Sequence, residues 1–101
     1  MRQYNKLVRD KIPEIISAKG KKVIAHIAGD NEYWEKLIEK ILEEVKEFVK
    51  EPIEEELADI MEVLEAIAEH KNLDKKEVEE IKMRKAKERG TFKKKIILEE
   101  S

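Results

Sequence analysis

Two pairs of acidic residues, each with members three positions apart, are the side chains of this sequence best suited to chemistry. Glu44 and Glu47 form the first pair, and Glu56 and Asp59 form the second. On an α-helix a spacing of three places two side chains on the same face. Four converging carboxylates repel one another unless a cation joins them, and an all-oxygen set suits Mg²⁺, or Mn²⁺ as the alternative, better than zinc. The competing interpretation is that they are ordinary surface acids.

The elements that must position these acids are two amphipathic helices separated by a break at Pro52. Apolar residues recur at helical spacing on both arms, which predicts a helical hairpin. Glu44 falls about 20° beyond the apolar stripe of the first arm, whereas Glu56 lies inside the stripe of the second. A lone buried carboxylate is very costly, so Glu56 needs a partner. The stripes comprise Trp34, Leu37, Ile38, Ile41, Leu42, Val45, Phe48 and Val49 on the first arm, and Ile53, Leu57, Ile60, Met61, Val63, Leu64 and Ile67 on the second.

A magnesium ion held by carboxylates would favour hydrolysis of a phosphoanhydride. Mg²⁺ keeps several waters in its shell and completes that shell with substrate phosphates. It lowers the pKa of a bound water and neutralises charge on the leaving group. Glu43, Glu44 and Glu47 are the candidate general bases, and the sequence does not choose among them.

Length, net charge and residue composition indicate what kind of protein this chain forms. The 101 residues suffice for one domain spanning 1–101, and a small helical bundle often gains further core by oligomerising. The net charge of −2 gives no overall signal for a polyanion or a membrane partner. The chain has no cysteine and no apolar run that could span a bilayer, so we expect a soluble cytoplasmic protein.

The remaining segments predict two further helices and two short strands. Asp10 and Gly20 suit the ends of a short helix with Pro13 in its first turn, and Asp74 and Gly90 suit the ends of a third long helix. The β-branched residues 23–28 and the apolar end of residues 92–98 each predict a strand, paired with each other or across a dimer. The expected fold is therefore a mainly α, antiparallel helical bundle with a short peripheral β-hairpin or strand pair, assembled as an oligomer.

The motifs resemble those of a known family, the MazG-type all-α nucleoside triphosphate pyrophosphohydrolases. The run YNKLVRDKIPE at residues 4–14, ELADI at 56–60 and RGTF at 89–92 are similar to the phosphoribosyl-ATP pyrophosphohydrolase-like branch. The resemblance spans nearly the whole chain. It implies Mg²⁺-dependent hydrolysis of a nucleoside triphosphate, or a phosphoribosyl-nucleotide, to the monophosphate and pyrophosphate, including the removal of non-standard nucleotides. It also implies a homodimer or a dimer of dimers.

By the same resemblance, the metal ligands are Glu44, Glu47, Glu56 and Asp59. The stretch between Glu47 and Glu56 is shorter than in many relatives, which leaves the preferred base open.

Basic residues provide candidate phosphate ligands. Lys82, Lys85 and Arg89 share one face of the third long helix, and Arg9 and Lys11, together with Lys6, lie around the start of the short helix. The alternative for both groups is a solvated surface. A different function, nucleic-acid binding through residues 82–95, would use the same lysines and arginines, although the scarcity of aromatic residues argues against it. A structural helical bundle that acts through a protein partner is the third possibility.

Overall fold

The computed structural model describes residues 4–101, which form four α-helices. They are α1 (Ile12–Ala18), α2 (Asp30–Lys50), α3 (Glu54–His70) and α4 (Lys75–Arg89). The prediction of a mainly helical chain is therefore confirmed. The chain groups into two compact units, Met1–Lys71 with α1 to α3 and Asn72–Ser101 with α4. No helix in the described part of the chain is both long and apolar enough to cross a membrane.

Helices α2 and α3 form an antiparallel hairpin closed by a three-residue link. Pro52 lies within this link rather than in either helix, where its missing N–H costs no helical hydrogen bond. At the opposite, open end of the hairpin, the rings of Tyr33 and His70 make a T-shaped contact at a centroid distance of 4.9 Å. The Lys71 Nζ lies 4.1 Å from the centroid of the Trp34 ring, a cation–π contact. Aromatic and cationic contacts thus hold the open end together.

The core of the hairpin is narrow. Leu37 is fully buried and Val63 is 9% exposed, and no other described apolar side chain is buried to that degree. Each predicted apolar stripe divides in two, because a helix with one neighbour buries only the side that faces it. The inward half is partly buried and consists of Trp34, Ile41, Phe48, Ile60 and Ile67. The other half is exposed and forms what we call the open apolar face: Ile38, Leu42, Val45, Val49, Ile53, Leu57, Met61 and Leu64.

The ends of α1 and α4 follow the predicted signals with one correction. The Asp74 side chain accepts hydrogen bonds from the backbone N–H of Lys76 at 2.9 Å and of Glu77 at 3.1 Å, so it caps α4 as expected. Gly90 ends α4 with a φ of 85°, a conformation that glycine adopts without steric cost. The expected cap of α1 at Asp10 is wrong, because the helix begins one residue later with Lys11 at the capping position and no side-chain cap.

The two predicted strands are absent from the structure. Residues 23–28 and 92–98 carry no strand pairing, and residues 4–101 contain no β-strand at all. Ile27 and Phe92 are almost fully exposed, at 97% and 98%. β-branched composition favours an extended backbone, but a strand also needs a neighbour to pair with, and composition supplies none.

Candidate metal centre

Three of the four predicted metal ligands converge between α2 and α3. Glu44, Glu56 and Asp59 each offer a carboxylate oxygen, and these three atoms lie within 4.8 Å of one another. All three residues are partly buried, and the Glu44 side chain is only 12% exposed. We call this group the carboxylate cluster. Its residues come from both arms of the hairpin, so the packing of the two helices brings them together.

The position of each acid on its helix explains why these three meet. Glu44 lies about 20° around α2 from the buried Leu37, and Glu56 lies about 20° around α3 from Val63. Both carboxylates therefore project toward the interface that these apolar residues form. Asp59 is about 40° further out than Val63 and reaches the same place from the edge of α3.

Glu47, the fourth predicted ligand, lies outside the cluster. It is exposed, and about 60° further around α2 than Glu44. Its charge still acts on the site, because Glu47 is one of the carboxylates that raise the pKa of Glu56. Glu47 thus lies near the cluster but is not among the residues whose carboxylate oxygens lie within 4.8 Å of one another.

Two of the three cluster carboxylates are paired with basic side chains. The Arg9 Nη2 donates a hydrogen bond to Asp59 Oδ1 at 2.9 Å. The Lys40 Nζ lies 3.4 Å from Glu44 Oε1, one helical turn away. These cations offset part of the repulsion within the cluster.

Glu56 is the cluster carboxylate without such a partner. It makes no hydrogen bond and no ion pair to any residue from 4 to 101. Desolvation raises its pKa above the usual glutamate value, and the charges of Asp59, Glu47, Glu44 and Glu55 raise it further. The ionised form of Glu56 is therefore disfavoured here.

The donor set fits a hard divalent cation. It offers only carboxylate oxygens, the ligands that Mg²⁺ and Mn²⁺ prefer. It provides three such groups, in keeping with Mg²⁺ sites that leave room for waters and substrate phosphates. Exposed acids often gather with no ion, whereas Glu44, Glu56 and Asp59 are all partly buried.

Glu43 differs chemically from its neighbours on α2. The Lys6 Nζ donates a hydrogen bond to Glu43 Oε1 at 2.9 Å, and Lys40 lies 3.6 Å from the other oxygen. The bond to Lys6 lowers the pKa of Glu43, and Lys40 lowers it further. In return, the bond to Glu43 raises the pKa of Lys6, to which the charge of Glu44 also contributes. A carboxylate held in this way is a weaker base.

The predicted phosphate ligands fall in both units. Arg9 lies at the cluster, bound to Asp59, whereas Lys11 is exposed at the start of α1. Lys82, Lys85 and Arg89 are exposed on α4 in the second unit, where the Lys82 Nζ lies 4.0 Å from the Glu79 carboxylate.

The sequence patterns did not single out Lys40, which contacts the carboxylate cluster through Glu44, or the pairing of Lys6 with Glu43. Lys40 precedes Glu44 by four residues on the same helix, a spacing that predicts an ion pair. Lys6 and Arg9 gave a weaker signal, because nothing in their local sequence indicates which distant carboxylates they meet.

In comparisons with known proteins, no protein-family model, no curated protein and no solved structure matches this chain.

Proposed function

We propose that this chain is a Mg²⁺-dependent nucleotide pyrophosphohydrolase. The observation that carries the proposal is the convergence of Glu44, Glu56 and Asp59 from two helices to within 4.8 Å, with Glu56 left unpaired. The motifs at residues 4–14, 56–60 and 89–92 support the same conclusion. The substrate is a nucleoside triphosphate or a phosphoribosyl-nucleotide, and removal of non-standard nucleotides is the biological role we favour.

The reaction is a hydrolysis in which water supplies the nucleophile. The water oxygen bonds to the α-phosphorus, the bond from that phosphorus to the bridging oxygen breaks, and pyrophosphate leaves with the bonding electrons. The water proton passes to a carboxylate of the chain. Mg²⁺, when held by Glu44, Glu56 and Asp59, supplies a bound water of lowered pKa and neutralises charge on the phosphates.

Glu47 is the carboxylate we favour as general base. It lies one helical turn from Glu44, is exposed to water, and makes no ion pair within residues 4–101. Glu43 is less suited because Lys6 and Lys40 stabilise its ionised form and make it a weaker base. Glu44 is less suited because it is needed as a metal ligand. The role of Glu47 is thus to accept the proton rather than to bind the ion.

Basic side chains are proposed to bind the phosphates of the substrate. Arg9 already lies at the cluster, and its guanidinium can bind phosphate oxygens bidentately. Lys11 is exposed and positively charged, which suits the same role.

We further propose that a second copy of the chain covers the open apolar face and makes a homodimer, with a dimer of dimers as the larger assembly. Along this face both helices expose large apolar side chains, including Leu42 at 60% and Met61 at 62%. A contiguous apolar patch on a small protein marks an interaction surface. An identical hairpin offers a matching face, and two hairpins packed this way complete a four-helix bundle.

The decisive experiment is a nucleotide panel with Mg²⁺, in which released pyrophosphate is measured for the wild type and two variants. Glu56→Gln removes one cluster charge with little change of shape, and Glu62→Gln makes the same change at an exposed site on α3 outside the cluster. We expect turnover of at least one nucleotide by the wild type and by Glu62→Gln, and none by Glu56→Gln.

Turnover that survives Glu56→Gln would refute the site. Absence of pyrophosphate release from every nucleotide, combined with salt-dependent retention of RNA that charge reversal at residues 93–95 abolishes, would favour nucleic-acid binding instead.

A further inference from the structure

A short basic segment before α1 spans both arms of the hairpin at the carboxylate cluster. Lys6 is bonded to Glu43 on α2, and Arg9, three residues later, is bonded to Asp59 on α3, each at 2.9 Å. We call residues 6–9 the N-terminal latch. The latch thus ties the segment before α1 to both arms of the hairpin through two ion pairs.

The latch and the carboxylate cluster share one carboxylate, that of Asp59, which belongs both to the Arg9 ion pair and to the cluster. A cation bound by Glu44, Glu56 and Asp59 would place two positive charges beside the guanidinium of Arg9, and like charges at such short range repel. Arg9 and the cation would both interact with the negative charge of the Asp59 carboxylate. Each of the two interactions would therefore weaken the other.

We propose that the N-terminal latch is displaced by the cation: binding of the ion to the cluster releases Arg9 from Asp59, and closure of the latch weakens binding of the ion. This inference rests on the proposed metal site. Its two halves are linked, because the effect of the ion on the latch must equal the effect of the latch on the affinity for the ion. The opposite arrangement, in which Arg9 orients Asp59 for the metal, predicts the opposite sign.

The first test measures Mn²⁺ affinity from the electron paramagnetic resonance signal of free Mn²⁺. Arg9→Gln is compared with Lys19→Gln, which removes one positive charge from an exposed residue with no ion pair among residues 4–101. The Arg9 and Asp59 side chains are 58% and 35% exposed. For a pair with this exposure, we expect Arg9→Gln to bind Mn²⁺ about two- to five-fold more tightly than the wild type. Lys19→Gln should stay close to the wild-type value.

The second test follows the latch itself in the unmodified chain. In ¹⁵N nuclear magnetic resonance spectra, the side-chain Nε–Hε signal of Arg9, assigned by its loss in Arg9→Lys, is monitored during a Mg²⁺ titration. Release from Asp59 should shift this signal and speed its hydrogen exchange with water. The signal of the exposed Arg84 on α4 serves as the internal control and should not change.

The outcomes separate the latch from the site on which it rests. If the wild type binds Mn²⁺ and Glu56→Gln does not, the metal site stands; weaker or unchanged binding by Arg9→Gln, or an Arg9 signal that ignores saturating Mg²⁺, would then overturn the latch alone. If the wild type binds neither ion, the metal site and the latch both fail.

Discussion

Replacing Glu56 by glutamine is expected to change thermal stability in opposite directions with and without a divalent cation. Desolvation and the nearby charges of Asp59, Glu47 and Glu44 raise the pKa of Glu56, so in a chelator and above that raised pKa its charge destabilises the fold. Glutamine keeps the shape and removes the charge. The variant should therefore melt at a higher temperature than the wild type.

The pH dependence of this difference has a definite sign. A carboxyl group whose pKa is raised by folding binds its proton more tightly in the folded state, so it destabilises the fold once it ionises. Below the ordinary glutamate value of 4.5, Glu56 is protonated in both states and the two proteins should melt alike. As the pH rises through the window between that value and the raised pKa of the folded state, the wild type loses stability and the variant does not.

A saturating cation should reverse the order. An ion at one hundred times its dissociation constant stabilises the folded state by about 2.7 kcal/mol. For a domain of this size, each kcal/mol moves the melting temperature by about 4–8 °C, so the wild type should gain about 10–20 °C. Loss of one of three carboxylates that weakened binding about 100-fold would leave the variant a gain of only about 2–3 °C.

The assay is a pair of melting curves, followed by circular dichroism, for each protein in chelator and in Mn²⁺. Glu62→Gln is the control and should follow the wild type in both conditions. Equal Mn²⁺-induced gains in the wild type and in Glu56→Gln would refute the claim that Glu56 binds the ion. A lower melting temperature for Glu56→Gln in chelator would refute the claim that its charge is destabilising.

Four further predictions test the other elements of the proposal. Glu47→Gln should lower kcat by about 10²–10⁴-fold in a pyrophosphate-release assay while leaving Mn²⁺ affinity near the wild-type value, as expected for a base that is not a ligand. Leu42→Asp should weaken the dimer by roughly 30- to 700-fold in sedimentation equilibrium, because about 1–2 kcal/mol of burial is lost in each copy, whereas Glu62→Lys should not. Leu37→Ala should lower the free energy of unfolding by about 2–5 kcal/mol in urea titrations, since this side chain is fully buried. Asp74→Ala should destabilise α4 by about 1 kcal/mol, seen as lost helicity in circular dichroism.

Local signals in the sequence predicted the helices well, because the backbone hydrogen bonds of a helix join residues only four positions apart. The break at Pro52, the cap at Asp74 and the stop at Gly90 all act within one turn of the backbone. The helical spacing that placed Glu56 inside an apolar stripe also predicted its meeting with Glu44. The position of Glu47 on the wheel, well beyond the stripe, could have indicated that it would stay outside the cluster.

Features that depend on a distant partner were not predictable in the same way. The strands expected at residues 23–28 and 92–98 need a pairing neighbour, and the β-branched composition that suggested them does not provide one. The ion pairs of Lys6 with Glu43 and of Arg9 with Asp59 join residues 37 and 50 positions apart. Their geometry follows from the path of the chain before α1, which no periodicity encodes.

The position of the cluster along the hairpin limits how far thermal opening can disturb it. Glu44 lies six residues from the end of α2 at the three-residue link, a rise of about 9 Å, whereas Trp34 lies sixteen residues away, a rise of about 24 Å. If the two helices open about the link as a hinge, the carboxylates move little more than a third as far as the aromatic side chains at the open end. Opening at the Trp34–His70 end therefore separates the carboxylates of the cluster much less than it separates the aromatic rings.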